Sequence, residues 1–542
     1  MDAIRPYIAH YTRPGDVVLD AFAGSGMTGL AAALEGRRAI LNDLSPAAVH
    51  IARNYTTPCD PSALAMAADR ALSQAGPAID ALYEVSCPTC GGRAITEYVV
   101  WSDVRACPAC GHGVSVWDAR QEGGVRDLTC PRCGTAFDKT KSQIAGEYAA
   151  SVNLSCHRCR SRTAIDPRPE DLALAAGLPS ITDWYPDLPF DSSWDMWRGG
   201  HRDLGVSRVA DFWSRRNLAA LAALWAAINR ETDDRLREAL RFVFTGIVNR
   251  ASRRYQWNAK RPTNVLGGTL YIASLRYEFN VRSLFGRKLR AALAFYREVQ
   301  IPAGSVEVRL GSATDLTGVP DGSVSYCFTD PPFGANIYYA DASLLWEAWL
   351  GTLTDRTAEA VVSTKRDGKS VVDYREIMGR SMAEIRRCLK PDGIMTMVFQ
   401  NTNDAVWQAL RDGAQDAGLH ILGATTLHKA QPSFKGVKAS QSGERVAATD
   451  VVMTMSSDRR DSRPVTTRLE PDAVVRQAFQ QEASLGGGER LRSTAHLYAV
   501  AVSALVNAGL DANGWTFERV AELQAEILTV GESEQLALGI GS

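Results

Sequence analysis

The sequence predicts an α/β protein whose doubly wound sheet is interrupted by a large insertion. Strand and helix patterns alternate through residues 1–55 and resume at residue 306, and the stretch between them is long enough to form domains of its own. A glycine-rich turn follows the first strand pattern, as at the ligand-binding edge of a doubly wound sheet. Within the interruption, eight cysteines form four C-x-x-C pairs, which indicate a metal-stabilised segment. The length of 542 residues predicts about two to four domains.

The first half of the sheet is predicted over residues 1–60. A short helix over residues 3–11 leads into a strand at 16–20. The glycine-rich turn, a helix at 30–34 and a second strand at 38–43 follow. This order of strand, turn, helix and strand is that of a βαβ unit with parallel strands.

The second half of the sheet is predicted over residues 305–456. Helical patterns at 374–388 and 405–417 alternate with its strands, as parallel crossovers require. The predicted strands are 306–310, 324–328, 393–399 and 449–455.

The insertion and the C-terminal region show patterns of their own. Residues 80–165 contain the cysteine pairs, and residues 166–304 are expected to be mainly helical. The remaining predicted segments are helices over 206–229 and 232–250, a polar linker at 457–464, and a small helical region over 465–542 with glycines 486–488 between its helices.

The glycine-rich turn is predicted to bind a nucleotide-like ligand. Gly24, Gly26 and Gly29 formally complete a Gly-x-Gly-x-x-Gly pattern; glycines allow a close backbone approach, and the following helix presents its N-terminal N–H groups. Asp43 ends the next strand, 17 positions after Gly26, where a doubly wound sheet places a carboxylate on ribose hydroxyls. The spacing alone fits a dinucleotide as well as a nucleoside cofactor.

A second motif, Asp330-Pro331-Pro332-Phe333, follows an apolar strand pattern and indicates methylation of an exocyclic amino nitrogen. The lone pair of such a nitrogen is delocalised into its ring, so the nitrogen must be activated by geometry. The Asp330 carboxylate and the Pro331 carbonyl can accept its N–H bonds and direct its lone pair at a methyl donor. Two prolines make the turn rigid, and Phe333 offers an aromatic face to a base taken out of a duplex. A strand-ending turn without a catalytic role is the alternative.

Together, these motifs resemble those of the amino-directed DNA methyltransferases of the N6-adenine and N4-cytosine group. Residues 20–26, Asp-Ala-Phe-Ala-Gly-Ser-Gly, are similar to the family's cofactor motif, and Asp330-Pro-Pro-Phe333 is similar to its catalytic motif. The resemblance covers roughly residues 1–55 and 305–455 and implies a Rossmann-like, S-adenosylmethionine-dependent methyltransferase sheet. The residues expected to bind S-adenosylmethionine are Asp20, Phe22, Gly24, Gly26, Asp43 and Asp315. The catalytic residues are expected to be Asp330, Pro331, Pro332 and Phe333.

Two departures from the family's pattern are visible. The large insertion precedes Asp315 instead of following it, so the chain does not fit a named class of motif order. Phe333 stands where the family more often has tyrosine, which keeps an aromatic face and removes a hydroxyl.

The predicted function is that of a site-specific DNA methyltransferase, with N6 of adenine placed ahead of N4 of cytosine. The amino nitrogen of a flipped base attacks the S-methyl group in line, without a covalent enzyme intermediate. A carbon-5 cytosine enzyme would need a nucleophilic Pro-Cys where this chain has Asp330-Pro331-Pro332. Since enzymes of the family commonly mark self DNA, a role in restriction or phage defence with partner proteins is expected. Two alternatives stay open: an RNA or protein amide-nitrogen methyltransferase, and a non-catalytic zinc-ribbon nucleic-acid-binding protein.

The four C-x-x-C pairs predict two structural zinc ions. Taken in chain order, the first two pairs are separated by 16 residues and the last two by 22, which predicts two consecutive ribbons. A shell of four thiolates leaves no coordination position for water, so the zinc should be structural. Disulfides and redox chemistry are the alternatives, and without a secretory signal neither is favoured. The predicted ligands are Cys87, Cys90, Cys107, Cys110, Cys130, Cys133, Cys156 and Cys159.

A strongly basic stretch predicts contact with nucleic acid. Residues 241–290 contain eleven lysines and arginines and a single acid, Glu278, in a chain whose net charge is -1. Guanidinium groups bind phosphates, and the interleaved aromatic residues could support a distorted duplex. The alternative is a solvated helix face beside core aromatic residues. The predicted nucleic-acid contacts are Arg250, Arg253, Arg254, Lys260 and Arg261.

Composition excludes some classes of protein. Hydrophobic residues make up 45% and charged residues 22%, as in water-soluble globular chains. The longest apolar runs are too short to span a bilayer, and no targeting peptide is recognisable. We therefore expect a cytoplasmic protein without a membrane partner, acting on double-stranded DNA.

Overall fold

A computed structural model describes most of the chain in two compact units. Unit 1 comprises Met1–Thr57, Ile301–Ile337 and Asp355–Ser542, and unit 2 comprises Pro58–Gln300 and Tyr338–Thr354. The predicted linker beyond residue 457, glycines 486–488, Lys260 and Arg261 lie outside the described residues. The described residues are 1–120, 127–169, 171, 180–258, 265–334, 337–363, 365, 369–399, 404–428, 449–457, 470–484, 494–508, 510, 515–516 and 518–527.

The described part of unit 1 is built on a seven-stranded sheet, so the predicted α/β class is confirmed. Its strands are β1 (Val17–Asp20), β2 (Arg38–Asp43), β11 (Val306–Leu310), β12 (Val324–Thr329), β13 (Leu389–Phe399), β14 (His420–His428) and β15 (Thr449–Ser456). Their order is β11-β2-β1-β12-β13-β15-β14, and β11, β2, β1, β12 and β13 are parallel. The chain thus winds outward in both directions from β1.

Helices connect and flank these strands, and side-chain caps begin several of them. Ser45 accepts a hydrogen bond from Ala48 N and Pro46 occupies the first turn, so a helix starts directly after β2. Ser370 and Asp373 form a capping box at the start of another. The helices are α1 (Arg5–Tyr11), α2 (Met27–Leu34), α3 (Pro46–Thr56), α11 (Val371–Cys388), α12 (Asp404–Asp416), α13 (Pro471–Ser484) and α14 (Thr494–Asn507).

The last strands depart from the predicted parallel alternation. Strand β15 is antiparallel to both β13 and β14, and β14 was not predicted. Alternating apolar residues show that a segment is a strand but carry no information on its direction. The sheet is therefore mixed, with an antiparallel pair at one edge.

Unit 2 combines an antiparallel sheet with a helical core. The central strands of the sheet follow the order β10-β4-β8-β9, and β3 and β5 also pair with β4. The strands are β3 (Glu84–Ser86), β4 (Arg93–Ala106), β5 (Gly113–Ser115), β6 (Asp127–Thr129), β7 (Ala136–Asp138), β8 (Ile144–Cys156), β9 (Arg162–Ile165) and β10 (Leu275–Phe279). The helices are α4 (Pro61–Ala81), α5 (Val116–Ala119), α6 (Gly199–Asp203), α7 (Arg215–Ile228), α8 (Asp234–Val248), α9 (Val281–Glu298) and α10 (Tyr339–Leu350).

The core of unit 2 forms around aromatic side chains. Trp349 of α10 is fully buried, and its ring packs edge-on against those of Trp213, Trp225 and Phe244 at centroid distances of 5.9, 5.8 and 5.0 Å. The helix predicted over 206–229 is shorter than expected, because Ser214 caps α7 and residues before it form a separate 3-10 turn. No helix in the described ranges has both the length and the apolar character needed to cross a bilayer.

Candidate active site and metal centres

The predicted cofactor and catalytic motifs meet at the carboxyl edge of the unit 1 sheet. Asp20 ends β1, Asp43 ends β2, and Thr329 ends β12, and β1 pairs with β2 on one side and with β12 on the other. Strand order reverses at β1, which makes the carboxyl ends of these strands the topological switch point of the sheet. This is the edge at which open α/β sheets bind their ligands.

The glycine-rich turn has a backbone that requires glycine. Gly24 and Gly26 have φ angles of +50° and +79°, and Gly26 N donates to Ala23 O at 2.8 Å before α2 begins. A Cβ on Gly26 would lie 2.7 Å from Ala52 Cβ, so a side chain at this position would also collide with α3. Phe22 is half-buried and packs against the core on its side of the sheet.

Asp20 is the buried anchor of this turn. Its Oδ1 accepts hydrogen bonds from Phe22 N at 3.1 Å and from the Thr329 hydroxyl at 2.8 Å, and the Thr28 hydroxyl also bonds to it. Burial raises the pKa of Asp20 to about 6 despite these hydrogen bonds. The Thr329 contact joins β1 directly to β12, the strand that precedes the Asp330-Pro-Pro-Phe333 turn.

Asp43 holds together the two loops that follow β1 and β2. Its Oδ2 accepts from Gly24 N at 2.7 Å, and its Oδ1 accepts from Ser45 N at 2.9 Å. Burial raises the pKa of the Asp43 carboxyl group. Asn42 donates to Gly311 O at 3.0 Å, which ties the end of β2 to the loop after β11. Leu44 N also bonds to the Asp43 carboxylate, so three backbone N–H groups hold it and about one of its four lone-pair positions is left for a further donor.

Asp315 lies on the loop after β11 with its side chain exposed. Its Oδ1 accepts from Thr317 N at 3.1 Å and from the Thr317 hydroxyl, and these hydrogen bonds hold its pKa below the ordinary value. The geometry is that of an Asx turn, which is enough to explain an aspartate here. Contact with the adenine of a cofactor remains a prediction for this residue.

The Asp330-Pro-Pro-Phe333 turn begins directly after β12. Asp330 is exposed, Pro331 is buried, and Phe333 is half-buried with its ring 5.5 Å from that of Phe399 in an edge-to-face arrangement. The Tyr374 hydroxyl donates to the Pro332 carbonyl at 2.7 Å, so a side chain of α11 fixes the position of the turn. The carboxylate therefore projects from a rigid and well-supported turn.

The described residues offer no thiol nucleophile next to this turn. Cys327 is fully buried within β12, where burial raises its pKa well above the ordinary value. A buried, protonated thiol inside a strand cannot attack a base. This agrees with transfer that proceeds without a covalent intermediate.

All eight predicted metal ligands form two four-cysteine clusters in unit 2. The outer tetrad consists of Cys87, Cys90, Cys156 and Cys159, and the inner tetrad consists of Cys107, Cys110, Cys130 and Cys133. Cross-pair sulfur distances are 3.6 and 3.7 Å in the outer tetrad and 3.6 Å in the inner one. A tetrahedral zinc ion with Zn–S bonds of about 2.3 Å separates its sulfurs by roughly 3.8 Å, so both clusters fit zinc.

The predicted pairing of the cysteines in chain order is wrong. The first C-x-x-C pair joins the fourth, and the second joins the third, so the two clusters are nested. The cause is the long antiparallel pairing of β4 with β8, in which Ala94 lies opposite Cys156. The first and fourth pairs meet at one end of these strands, and the middle two pairs meet at the other.

Two of the predicted nucleic-acid contacts instead lie within the fold. Arg253 donates to Glu147 Oε2 at 3.0 Å and to the carbonyls of Leu204 and Asp211, and its side chain is only 15% exposed. Arg254 is 4% exposed, and burial lowers its pKa to about 10. The prediction that these two side chains bind phosphate is therefore wrong, because both guanidinium groups already hydrogen-bond to acceptors inside the fold. Arg250 is exposed, and Lys260 and Arg261 lie outside the described residues.

Several residues that shape the site were not predicted. Thr329 and Thr28 bond to Asp20, and Tyr374 bonds to the catalytic turn from a helix more than 40 positions later in the chain. Thr329 directly precedes the predicted catalytic motif. Its position at the end of a predicted strand could have suggested a hydrogen bond to the neighbouring strand. Nothing in the sequence around Tyr374 distinguishes it from an ordinary core tyrosine.

One family model matches the chain. Residues 2–54 match the model of the N6/N4 methyltransferases, described as "DNA methylase". The match confirms the resemblance to the amino-directed DNA methyltransferases in the segment that carries the glycine-rich turn. It supports a methyltransferase as the class of protein. A search of curated protein sequences finds no match to the chain.

Solved structures give only a distant likeness. A geranyl diphosphate methyltransferase with GPP and sinefungin is 10% identical, with coverage of 33% of this chain and 60% of that one and a TM-score of 0.17. The antibiotic-resistance methyltransferase Kmr is 14% identical, with 31% and 71% covered and a TM-score of 0.16. The Haloferax volcanii complex of the Trm112 activator with a methyltransferase gives 15% identity, 32% and 79% coverage and a TM-score of 0.18. At TM-scores this low, the likeness gives no information about function.

Proposed function

We propose that the protein is an S-adenosylmethionine-dependent DNA methyltransferase that modifies an exocyclic amino nitrogen. One observation carries the proposal: the Asp330-Pro-Pro-Phe333 turn leaves the sheet beside the glycine-rich turn, and the Thr329–Asp20 hydrogen bond of 2.8 Å joins the two strands. A methyl donor at one turn and an amino acceptor at the other would then share one crevice. The order of the parallel strands β11, β2, β1, β12 and β13 supports a doubly wound, Rossmann-like sheet as part of this proposal.

The residues around the crevice fit S-adenosylmethionine. Positive φ angles at Gly24 and Gly26 bring the backbone close to a ligand, and α2 presents its first N–H groups there. Asp43 is held by three backbone N–H groups, and its carboxylate retains room for a ribose hydroxyl. When bound, S-adenosylmethionine supplies an electrophilic methyl group. Asp315 remains the proposed contact to the adenine ring.

The catalytic turn activates the acceptor by position and charge. The Asp330 carboxylate and the Pro331 carbonyl accept hydrogen bonds from the amino group of the base, which directs the nitrogen lone pair into the crevice. As the N–C bond forms and the nitrogen becomes positive, the carboxylate stabilises that charge. The excess proton on the nitrogen passes to the exposed Asp330 carboxylate and on to water, while the S–CH3 bond of the sulfonium breaks and leaves a neutral thioether. The Phe333 ring contributes an aromatic surface to the pocket, supported from behind by Phe399.

Double-stranded DNA is the proposed substrate, with N6 of adenine ahead of N4 of cytosine. The family match is to a DNA methylase model, and the Asp-Pro-Pro-Phe turn accepts either amino group. In this proposal the two zinc ions stabilise unit 2 and take no part in catalysis, since four thiolates fill each shell. A role in restriction or phage defence, with partner proteins, stays a prediction.

Label transfer from tritiated S-adenosylmethionine tests the proposal. The zinc-replete full chain is incubated with unmethylated bacterial DNA or with bacterial RNA, and the labelled nucleosides are separated. We expect label on N6-methyladenine in DNA; label on N4-methylcytosine would keep the reaction class and change the base. Transfer to RNA alone would replace DNA as substrate. A protein that binds S-adenosylmethionine but labels no amino nitrogen in either would contradict the proposal.

A further inference from the structure

The four cysteine knuckles of unit 2, each a C-x-x-C pair with the two residues after it, share one backbone conformation. In each knuckle, the N–H of the first cysteine donates to the carbonyl of the residue five positions later, at 2.7 to 3.0 Å. The residue after the second cysteine has a left-handed backbone in all four, with φ between +55° and +73°. Glycine adopts such angles without steric cost, and three of the four residues are glycine. The four residues are Gly91, Gly111, Gly134 and Arg160.

The fourth knuckle, residues 156–161, departs from the other three at two positions. Arg160 is the one residue other than glycine with a positive φ angle in the described ranges. A side chain in this conformation is strained, because its Cβ approaches the following carbonyl oxygen. His157 stands where the other three knuckles have proline after the first cysteine. Both positions give up the residue that best suits the turn, so the folding of the knuckle does not explain them.

Three guanidinium groups without a partner lie at the fourth knuckle, which forms the turn between β8 and β9. Arg158, Arg160 and Arg162 are exposed, and none of their side chains forms an ion pair or a hydrogen bond with any described residue. Arg93, directly after the first knuckle, is also exposed, but Glu84 pairs with it. The turn therefore presents positive charge that no acid in the described part of the chain neutralises.

Neutralisation of a bound metal ion does not account for these arginines. A zinc ion with four thiolates carries a net charge of about -2, and both tetrads would carry it. The two knuckles of the inner tetrad nevertheless contain a single arginine, Arg132. Large apolar side chains, which a membrane or a hydrophobic groove would contact, are not exposed in any of the four knuckles, whose residues are all described. The surface therefore fits a partner that is itself an anion.

We propose that the fourth knuckle binds the phosphate backbone of double-stranded DNA through Arg158, Arg160 and Arg162. The choice of DNA as the partner rests on the proposed function, and the phosphate contact rests on the exposed guanidinium groups. Guanidinium groups pair with phosphate oxygens, and a cation that neutralises a phosphate releases the counterion condensed there. Contacts of this kind fix the position of a protein on the duplex and do not read its sequence.

Arg160→Gly gives the fourth knuckle the residue that the other three have, and it separates a DNA contact from a structural role. The variant should keep both zinc ions, and its urea midpoint should equal or exceed that of the wild type, because the strain at residue 160 is removed. Its affinity for duplex DNA should fall about threefold, because one phosphate contact is lost. A variant that is destabilised and binds DNA with wild-type affinity would show that Arg160 is structural.

Fluorescence anisotropy of a labelled duplex, measured with the zinc-replete full chain over a series of salt concentrations, tests the surface as a whole. The triple variant Arg158→Gln, Arg160→Gly, Arg162→Gln should bind about thirtyfold more weakly at low salt. The slope of log K against log[salt] should become shallower by about 2.7, since each lost phosphate contact contributes about 0.9. An affinity and a slope equal to those of the wild type would overturn the proposal.

Arg132→Gln is the matched control for Arg158→Gln. Both arginines are exposed and occupy the third position of a C-x-x-C pair, and Arg132 belongs to the inner tetrad. Arg158→Gln should weaken duplex binding about threefold, and Arg132→Gln should leave it unchanged. Equal losses in both variants would contradict the assignment of the contact to the fourth knuckle.

The binding measurements do not depend on methyl transfer. A protein that transfers no methyl group to DNA but loses DNA affinity in the triple variant would retain this contact and contradict the proposed function alone. Methylation of DNA by a protein whose duplex affinity is unchanged in the triple variant would contradict this contact alone. Tighter binding of duplex RNA than of duplex DNA, lost in the same variant, would overturn the choice of DNA.

Discussion

Individual hydroxyl groups hold the candidate active site together. Thr329 links the two central strands through Asp20, and Tyr374 supports the catalytic turn through the Pro332 carbonyl. The positions of Asp20, Gly24, Gly26 and Asp43 at the carboxyl edge of the sheet could be predicted, because their spacing around the first two strands is specific. The hydroxyls could not, because threonine and tyrosine serve equally often as ordinary core residues and their partners lie far away in sequence.

Replacement of Tyr374 by phenylalanine tests this support. Loss of one hydrogen bond to the turn should misplace the Pro331 and Asp330 acceptors, lowering kcat about tenfold while KM for S-adenosylmethionine stays unchanged. Steady-state methyl-transfer kinetics measure both constants. Tyr11→Phe, which removes a hydroxyl from α1, is the control and should leave kcat at the wild-type value. An equal loss in both variants would show that Tyr374 has no specific role.

The buried Asp20 makes stability depend on pH. Its pKa is raised to about 6 from the ordinary 3.8, so the folded state binds the proton more tightly than the unfolded state does. Protonation of Asp20 therefore stabilises the folded state. This stabilisation is complete below the pKa of the unfolded state, 3.8, and is lost as the pH rises through the folded-state pKa of about 6. Replacement by asparagine removes the effect. Between about pH 7 and pH 5, the stability of wild type relative to Asp20→Asn should rise by about 1 kcal/mol.

Urea unfolding at the two pH values, with protein lacking added cofactor, measures this difference. The variant keeps an oxygen for Phe22 N and Thr329, so the local fold should persist. A wild-type stability that changes in parallel with that of Asp20→Asn would show that the carboxylate does not titrate in this range.

Strand pairing decides how the elements of the insertion assemble. The eight cysteines that cluster were predicted correctly, because C-x-x-C knuckles are a specific pattern. Their grouping was predicted wrongly, because spacing along the chain does not reveal that β4 and β8 pair over most of their length. The same limit explains β15, whose apolar alternation predicted a strand but not its antiparallel direction.

Zinc content measures the nested pairing. One variant replaces the four cysteines of the outer tetrad with serine, and a second replaces the first two C-x-x-C pairs along the chain. Nested clusters predict about one zinc per chain in the first variant and none in the second, because only the first leaves a complete tetrad. Elemental analysis after removal of loosely bound metal gives the counts. The reverse result would restore consecutive ribbons.

At the scale of the whole molecule, the positive charge counted along residues 241–290 does not predict where positive charge lies in the folded protein. The stretch 241–290 has a surplus of ten positive charges, but folding pairs Arg276 with Asp103 and Glu147, and Arg282 with Asp80. Acids from distant segments thus neutralise much of the stretch. The charge count predicted a phosphate track, whereas in the structure Arg253 and Arg276 are paired with acids inside unit 2.

Asp330→Ala, compared with wild type in a single-turnover methyl-transfer assay on DNA, tests the central claim most directly. S-Adenosylmethionine binding is measured on the same samples. Asp321→Ala, before the amino end of β12, is the matched control, since it removes an exposed aspartate away from the turn. We predict transfer reduced at least about a hundredfold in Asp330→Ala, with cofactor affinity unchanged. Transfer at the wild-type rate by Asp330→Ala would contradict the assignment of this turn as the catalytic centre.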